Sequence, residues 1–186
     1  MKRISFILLT LFLSLGVFAK QPEKGYRGFF DWSNSLENYD LTPVGRVTDY
    51  YTGFSTSHGY QITPWAFTGI GFDLEYFSTG NQFIAAPFFN FRSDFKFSIF
   101  TPFADVRIGY NCTDGGGLYF SPSVGYRFNW GRKTGINLGV GLTLKGRKTY
   151  IYDFTHGPDY GGTFGDYLGK KTNYQTFFSF RVGIDF

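Results

Sequence analysis

The feature that most constrains the fold of this chain is an alternation of apolar and polar residues that returns in segment after segment. It is clearest at the end of the sequence, where every second residue from Tyr174 to Phe186 is apolar except Thr176. The residues between them, Phe177 apart, are polar or small. Successive side chains of a β-strand point to opposite faces, so this segment predicts a strand with one apolar and one polar face.

Seven earlier segments show the same pattern and are separated by turn-forming residues. Together the eight predicted strands cover residues 26–33, 50–62, 66–76, 82–92, 100–110, 118–129, 136–145 and 174–186. The first two are less regular: segment 50–62 places Thr52, Thr56 and His58 on its apolar face, so we expect either a bulge there or a face turned to a partner. The pattern predicts an all-β fold, an eight-stranded, antiparallel, up-and-down barrel.

Three prolines lie inside predicted strands. Pro87, Pro102 and Pro122 each remove a backbone donor from the sheet ladder. We therefore expect a bulge or a local bend at each of them.

The first 19 residues have the pattern of a secretory signal peptide. Lys2 and Arg3 precede an apolar run over residues 4–18, and Ala19 supplies a small residue for cleavage. The run is shorter than the roughly 20 residues of a membrane-spanning helix. We expect residues 1–19 to be removed and residues 20–186 to form one domain, in which Cys112, the single cysteine, has no intrachain disulfide partner.

Composition bears on which way the barrel faces. Aromatic residues make up 23% of the chain and charged residues 17%, against roughly 25% charged residues in a typical soluble domain. An eight-stranded barrel has interior room only for packed side chains, and the apolar faces of all eight strands would overfill it. The apolar face is therefore expected to point outward, into a membrane. The alternative is a soluble, lipocalin-type barrel with that face inward.

The predicted connections also alternate in length. With the N-terminus in the periplasm, the periplasmic turns fall at 63–65, 93–96 and 131–134, and the outer connections at 36–48, 78–81, 112–117 and 149–171. The first and last outer connections are long, and short periplasmic turns with longer outer loops are typical of membrane barrels. Trp65 and Trp130 then lie at the periplasmic ends and Trp32 near the outer end, at positions expected for an interfacial girdle.

Several motifs resemble those of a known superfamily. The last strand carries a pattern similar to the signal that outer-membrane barrels present to their assembly machinery, with Tyr174, Phe180, Val182, Ile184 and Phe186 as its residues. The runs 59–64, 69–71, 101–107 and 121–128 are also similar to segments of small outer-membrane barrels. The sequence thus resembles the eight-stranded outer-membrane β-barrel superfamily that includes the OmpA barrel domain and OmpX-like proteins.

The resemblance implies a location and two kinds of partner. It implies the outer membrane of a Gram-negative bacterium with both termini in the periplasm, in contact with outer-membrane lipid and the barrel assembly machinery. It does not imply one activity, because this superfamily is functionally mixed.

The polar faces of the predicted strands carry charges of both signs. They are Arg27, Asp31, Asp73, Glu75, Arg92, Asp105, Arg107, Arg127, Lys145, Arg181 and Asp185. Buried charges must be paired or hydrated, so we expect an interior ion-pair network that fills the lumen. The alternative is a narrow polar pathway.

The sequence offers little that indicates chemistry. Some barrels of this superfamily modify lipid A with a His and a Ser near the outer rim, but here His58, beside Ser57, precedes a periplasmic turn and lies on the apolar face. His156 lies in the long outer segment among Asp153, Asp159 and Asp166, whose spacing matches no calcium loop. We expect no enzymatic activity, no metal and no cofactor. The formal charge, +4 for the whole chain, is too small to indicate nucleic-acid binding.

The long outer segment 149–171 is the candidate for recognition. Its aromatic and histidine candidates are Tyr152, Phe154, His156, Tyr160 and Phe164. Alternatively, Tyr150 and Tyr152 extend the strands as a protruding ribbon. The sequence favours a structural or surface-interaction protein that acts through its outer loops, with a small pore or transport accessory as second hypothesis and a lipid A-modifying enzyme as third.

Overall fold

The computed structural model describes residues 24–41, 45–78, 80–95, 99–113, 116–130, 134–153 and 166–186. The predicted signal peptide lies outside these residues and stays a prediction. The eight strands are β1 (Gly25–Leu41), β2 (Gly45–Thr63), β3 (Ala66–Phe77), β4 (Gln82–Asp94), β5 (Phe100–Asn111), β6 (Gly117–Trp130), β7 (Thr134–Asp153) and β8 (Asp166–Asp185). None of the described residues belongs to a helix long and apolar enough to cross a membrane.

The strands form a closed antiparallel barrel in chain order. Each strand pairs with the next, and β1 pairs with β8 from Phe29 opposite Asp185 to Leu36 opposite Phe178. The predicted fold class, an eight-stranded antiparallel up-and-down barrel, is confirmed. We call the end where β1 begins and β8 ends the termini end, and the opposite end the ribbon end.

The wall of the barrel has a polar inner face and an apolar outer face. In β8, Ser179 and Arg181 are buried inside, whereas Phe180 between them is 41% exposed outside. Other large apolar side chains exposed on the outer face include Phe54, Ile70, Phe89, Val124, Leu138 and Phe178. A soluble barrel of the lipocalin type would have the opposite arrangement, so the geometry favours the outward apolar face predicted from the composition.

Strand β2 keeps its alternation from Tyr50 to Ile62, and its register shifts only between Gln61 and Thr63. The irregularity in β2 thus lies at the end of the strand. Thr52, Thr56 and His58 stay on the outer face.

Of the bulge or local bend predicted at each of the three mid-strand prolines, the bulge is wrong. Pro87 lies opposite Phe72, Pro102 opposite Tyr126, and Pro122 opposite Val106, all without a shift of register. Each proline lacks an N–H on the side that faces one neighbouring strand. On that side the ladder of paired residues either has a gap or ends. Pro102 lies just beyond the last β4–β5 pair, Asp94 opposite Phe103.

At the other two prolines, a neighbouring side chain donates to the carbonyl that the proline cannot reach. The β6–β7 ladder is interrupted between the pairs of Phe120 and Ser123, and Ser121 Oγ donates to the Leu142 carbonyl at 3.4 Å. At Pro87, the Cys112 thiol donates to the Tyr110 carbonyl, with Sγ 3.8 Å from the oxygen. These local donors explain why no extra residue is needed to relieve the ladder.

Two predicted outer loops are mostly strand. The expected loop 36–48 is replaced by β1 and β2, which pair up to Leu41 opposite Gly45. The expected loop 149–171 is replaced by β7 and β8, which pair up to Asp153 opposite Asp166. Cross-strand hydrogen bonds continue beyond the closed wall, and they extend these segments as two ribbons. The alternative in which Tyr150 and Tyr152 extend β7 is the one that the structure shows.

The tryptophans lie on the outer face. Trp65 in the turn after β2 and Trp130 at the end of β6 are more than half exposed at the termini end. The prediction that Trp32 lies near the outer end is wrong, because β1 continues to Leu41 and leaves Trp32 near the middle of the strand. There Trp32 Nε1 donates to Thr52 Oγ1 at 3.0 Å, which satisfies the indole on an apolar surface.

Candidate functional site

The barrel interior contains the largest concentration of charge in the described structure. All eleven charged residues predicted for the polar faces are buried there, and Asp94 joins them. The twelve comprise six cations and six carboxylates, so the interior is neutral when all are ionised. They form three clusters along the barrel axis.

The first cluster lies at the termini end and joins β1, β4, β6 and β8. Arg27 bridges two carboxylates, with Nη1 2.8 Å from Asp94 and Nε 3.0 Å from Asp185. Arg92 Nε lies 3.0 Å from Asp94, and Arg127 contacts both oxygens of Asp185 at 2.6 and 2.9 Å. The bidentate contact is the strong form of an arginine–carboxylate pair. This cluster therefore ties both ends of the sequence to the middle of the chain.

Two amides complete the first cluster. Asn137 donates to Asp185 at 3.1 Å and accepts from Arg92 Nη2 at 2.7 Å. Gln61 accepts from Arg27 Nη1 at 2.8 Å and donates to the carbonyl of Thr63 at 2.8 Å, where β2 ends. The amides thus supply donors and acceptors that the ion pairs alone leave unmatched.

The second cluster lies in the middle of the barrel. Arg107 pairs with Asp31 across the interior and with Asp105 on its own strand, its Nε 3.2 Å from the Asp105 carboxylate. Arg181 Nη1 lies 3.0 Å from the same Asp105 oxygen. Hydroxyls of Ser55, Ser121 and Ser123 accept the remaining arginine donors. The small serines leave the room that two guanidinium groups need inside a narrow barrel.

The third cluster lies toward the ribbon end. Lys145 pairs with Glu75, and Tyr119 donates to Asp73 Oδ2 at 2.9 Å. The other Asp73 oxygen has no hydrogen-bond partner among the described residues. Asp73 is therefore the least satisfied carboxylate of the network.

An aromatic layer covers the third cluster at the ribbon end. Tyr51 stacks on Phe77 with ring centroids 4.5 Å apart and meets Phe177 edge-on at 4.7 Å; Ile84 completes the layer. Lys145 Nζ lies 4.4 Å from the Tyr51 ring centroid, within cation–π distance. Aromatic rings thus close the polar interior on the side where the ribbons extend.

Among the described residues, the side chains of the second cluster leave little open space between them. A cavity of about 10 Å³ lies between Arg92, Asp105, Arg107 and Arg181, and this is about the volume that one water centre requires. Arg92 also lies over the Phe103 ring at 3.7 Å, so its guanidinium is packed as well as paired. The arrangement can hold the wall together and block passage.

The predicted network did not include the buried Gln61, Asp94, Tyr119 and Asn137, nor the serines Ser55, Ser121 and Ser123 that accept from its arginines. Asp94 was assigned to a turn, although it stands two residues after Arg92 and therefore on the same face of β4. The signal that identifies Asp94 is the alternation of inner and outer residues in β4, extended by two residues beyond Arg92.

The histidine pair considered for catalysis is not formed. Ser57 is buried inside the barrel and His58 is exposed outside it, so the wall separates the two side chains. His58 instead makes two contacts on the outer face, Nδ1 with Tyr26 Oη at 2.5 Å and Nε2 with Thr56 Oγ1 at 2.8 Å. In the described part of the chain, no three His, Cys, Asp or Glu residues are grouped so that they could hold a metal ion.

The predicted assembly-signal residues share one face of β8. Tyr174, Phe180, Ile184 and Phe186 are exposed outside, and Val182 lies partly covered between them. The Phe186 backbone extends the β1–β8 ladder by hydrogen bonds of 2.8 and 3.0 Å with Gly28.

Most of the candidate recognition residues lie outside the part of the chain that the structure describes. Tyr152 belongs to β7, opposite Tyr167. Phe154, His156, Tyr160 and Phe164 lie outside the described residues, so their role stays a prediction.

Comparison with known proteins supports the fold. The chain is similar to the crystal structure of Neisserial surface protein A, with a TM-score of 0.51 and 11% identity, over 86% of this chain and 94% of that one. No family model matches the sequence, and no curated protein matches it. At this identity the likeness is one of fold, an eight-stranded barrel that spans nearly the whole of both chains.

Proposed function

We propose that the protein is an outer-membrane barrel of a Gram-negative bacterium, with periplasmic termini, that anchors its two ribbons at the cell surface. One observation carries the proposal: the wall exposes large apolar side chains while an ion-paired network fills its interior. An apolar outer face is stable only when lipid covers it. The similarity to a Neisserial surface protein supports the same location.

The proposal assigns a structural or surface-interaction role. The ribbons extend one side of the wall: β1, β2, β7 and β8 have 17 to 20 residues, whereas β3 to β6 have 12 to 14. A filled barrel is a rigid base for such extensions. The outward apolar residues of β8 are also those that we propose the assembly machinery reads.

The single cysteine offers a test of location and orientation. Cys112 is exposed just after β5 at the ribbon end, so the proposal places it at the cell surface. A membrane-impermeant maleimide should label it in intact cells, and Cys112→Ser should abolish the label. A Lys24→Cys variant in the Cys112→Ser background is the matched control, since residue 24 lies at the termini end. Labelling of residue 24 alone would contradict the proposed orientation.

Conductance separates the anchor from a pore. We expect no channel activity in planar bilayers, because the second cluster fills the lumen. A pore would conduct, and Arg107→Ala or Asp105→Ala would change its conductance. A surface-interaction role predicts that deletion of residues 152–165 removes binding of whole cells to a partner surface while the barrel stays folded.

A further inference from the structure

The buried charges of the first cluster, at the termini end, do not balance. Its three cations are Arg27, Arg92 and Arg127, and its two carboxylates are Asp94 and Asp185. All five side chains are more than nine-tenths buried. Among the described residues, this layer of the interior therefore holds one unit of positive charge that no carboxylate of the layer offsets.

The third cluster, toward the ribbon end, has the opposite imbalance. There Asp73 and Glu75 lie with a single cation, Lys145. A carboxylate can lose its charge by binding a proton, whereas an arginine side chain stays charged in a folded protein. An uncompensated buried charge is strongly destabilising. A proton can therefore relieve the ribbon end, but the termini end needs an added negative charge.

The first cluster also contains two donors that have no acceptor. Arg27 Nη2 and Thr63 Oγ1 are buried atoms without a hydrogen-bond partner among the described residues. The Gln61 amide bridges the two residues, because it accepts from Arg27 Nη1 and donates to the Thr63 carbonyl, each at 2.8 Å. The two unused donors thus belong to neighbouring residues in the layer that carries the excess charge.

This layer lies at the rim of the barrel. Thr63 is the last residue of β2 and is half-buried, and β4 and β8 also end in the layer. On one side, Phe29 covers the faces of Arg27 and Arg92, with its ring centroid 4.7 and 4.9 Å from their Cζ atoms. The N–H groups of a guanidinium lie in its plane, so a ligand meets these arginines at their edges.

We propose that Arg27 and Thr63 bind one small monovalent anion, of the halide type, at the termini end of the barrel interior. The anion accepts from Arg27 Nη2 and Thr63 Oγ1, and its single charge balances the layer. A divalent anion would reverse the imbalance. Larger anions are excluded by the tight packing of the surrounding side chains, since Gln61, Asp94 and Asp185 are each 1% exposed. The inference goes beyond the proposed function, because it concerns the interior and not the surroundings of the barrel.

Exchange of the anion at constant ionic strength tests the site. The folded barrel, held in zwitterionic micelles, is unfolded by urea in sodium chloride and in sodium gluconate, whose anion is too large for the layer. We expect the midpoint urea concentration to rise as chloride replaces gluconate, because a ligand that binds only the folded state stabilises it. Constant ionic strength keeps general screening equal in the two salts.

Substitutions at residue 63 separate anion binding from hydration. Thr63→Val keeps the shape and removes one donor, so about tenfold more chloride should be needed for the same shift. Thr63→Asp supplies a fixed negative charge, so it should abolish the chloride response and raise the midpoint in gluconate above that of the unmodified chain. Ser179→Ala is the matched control: the Ser179 hydroxyl is also buried and without a partner among the described residues, but it lies outside the first cluster. It should keep the full chloride response.

Bromide gives a direct readout on the unmodified chain. Crystals grown in sodium bromide should show an anomalous peak in contact with Arg27 and Thr63, and the lack of a peak there would overturn the inference. Equal urea midpoints of the unmodified chain in the two salts would overturn it too, as would a chloride response that Thr63→Asp retains. A heat-dependent gel shift of each sample reports whether the barrel is folded, so a misfolded variant is not mistaken for a lost site.

Discussion

At the scale of single residues, the fit of the interior depends on which positions lack a side chain. Gly183 and Gly139 lie two rungs apart on the inner face of the β7–β8 pair, opposite Asn137 and Arg181. A methyl group at Gly183 would overlap the Asp31 carboxylate and lie 2.6 Å from the Phe30 carbonyl oxygen. At Gly139 the nearest atom would be 3.5 Å away, an ordinary contact with Phe103.

These distances predict different stability costs for the same substitution, glycine to alanine, at the two positions. Gly183→Ala should lower the free energy of unfolding by about 1–3 kcal/mol, because Asp31 and the β1–β8 ladder must move. Gly139→Ala should change it by less than about 0.5 kcal/mol. Urea unfolding of the barrel in lipid vesicles, followed by tryptophan fluorescence, measures both. Equal losses would mean that the packing around Gly183 is not as described.

The interior carboxylates also differ in how much stability their substitution should cost. Asp94→Asn removes the charge that Arg27 and Arg92 share, so it should cost about 3 kcal/mol of unfolding free energy, as expected for a broken buried ion pair. Asp73→Asn keeps an acceptor for Tyr119 and removes a charge two residues from Glu75, so its cost should stay below about 1 kcal/mol. The same urea titration compares the two, and a larger loss for Asp73→Asn would contradict the network.

At the scale of strands, the prolines show how the ladders tolerate a missing donor. Pro122→Ala would return an N–H opposite the Leu142 carbonyl, where Ser121 now donates at 3.4 Å. Pro102 faces the end of the β4–β5 ladder, where its own carbonyl accepts from Phe95 at 2.9 Å. Pro102→Ala would also return an N–H, toward the Phe95 carbonyl, because two residues of an antiparallel hydrogen-bonded pair exchange both bonds.

We therefore expect Pro122→Ala to keep the free energy of unfolding within about 1 kcal/mol of the unmodified chain, because the regained hydrogen bond offsets the added freedom of the unfolded chain; the same urea titration measures it. Amide exchange at residue 122 should also be slow in the Pro122→Ala variant. Rapid exchange there would contradict the proposed ladder position.

The strands also show why some boundaries could be predicted and others not. The segments from Ala66 to Asn129 alternate between an apolar and a polar face, apart from inward apolar residues such as Phe67, Ile84 and Phe88, and this alternation fits a wall whose two faces meet different surroundings. In the ribbon segments, from Glu37 to Leu41 and from Arg147 to Asp153, the sequence does not sustain an alternation of apolar and polar residues. Sequence reasoning assigned these residues to loops for that reason.

At the scale of the whole molecule, the volume of the apolar side chains predicted that the apolar face of the barrel wall points outward. The apolar sets of the strands exceed what a narrow lumen can hold, and the structure places Phe54, Ile70 and Phe89 outside. Which interior charges pair could not be predicted, because pairs such as Arg107 with Asp31 join strands four positions apart around the barrel. Shear and closure decide those contacts, and neither is visible in a single sequence.

The most direct test of the central claim, a barrel with its apolar face in the outer membrane, is heat-modifiability of the protein extracted from outer-membrane fractions. A folded membrane barrel resists detergent until heated, so boiled and unboiled samples should run at different apparent masses on a gel. The account predicts this shift in the outer-membrane fraction. A soluble periplasmic protein with no shift would contradict it and would mean that the apolar face points inward.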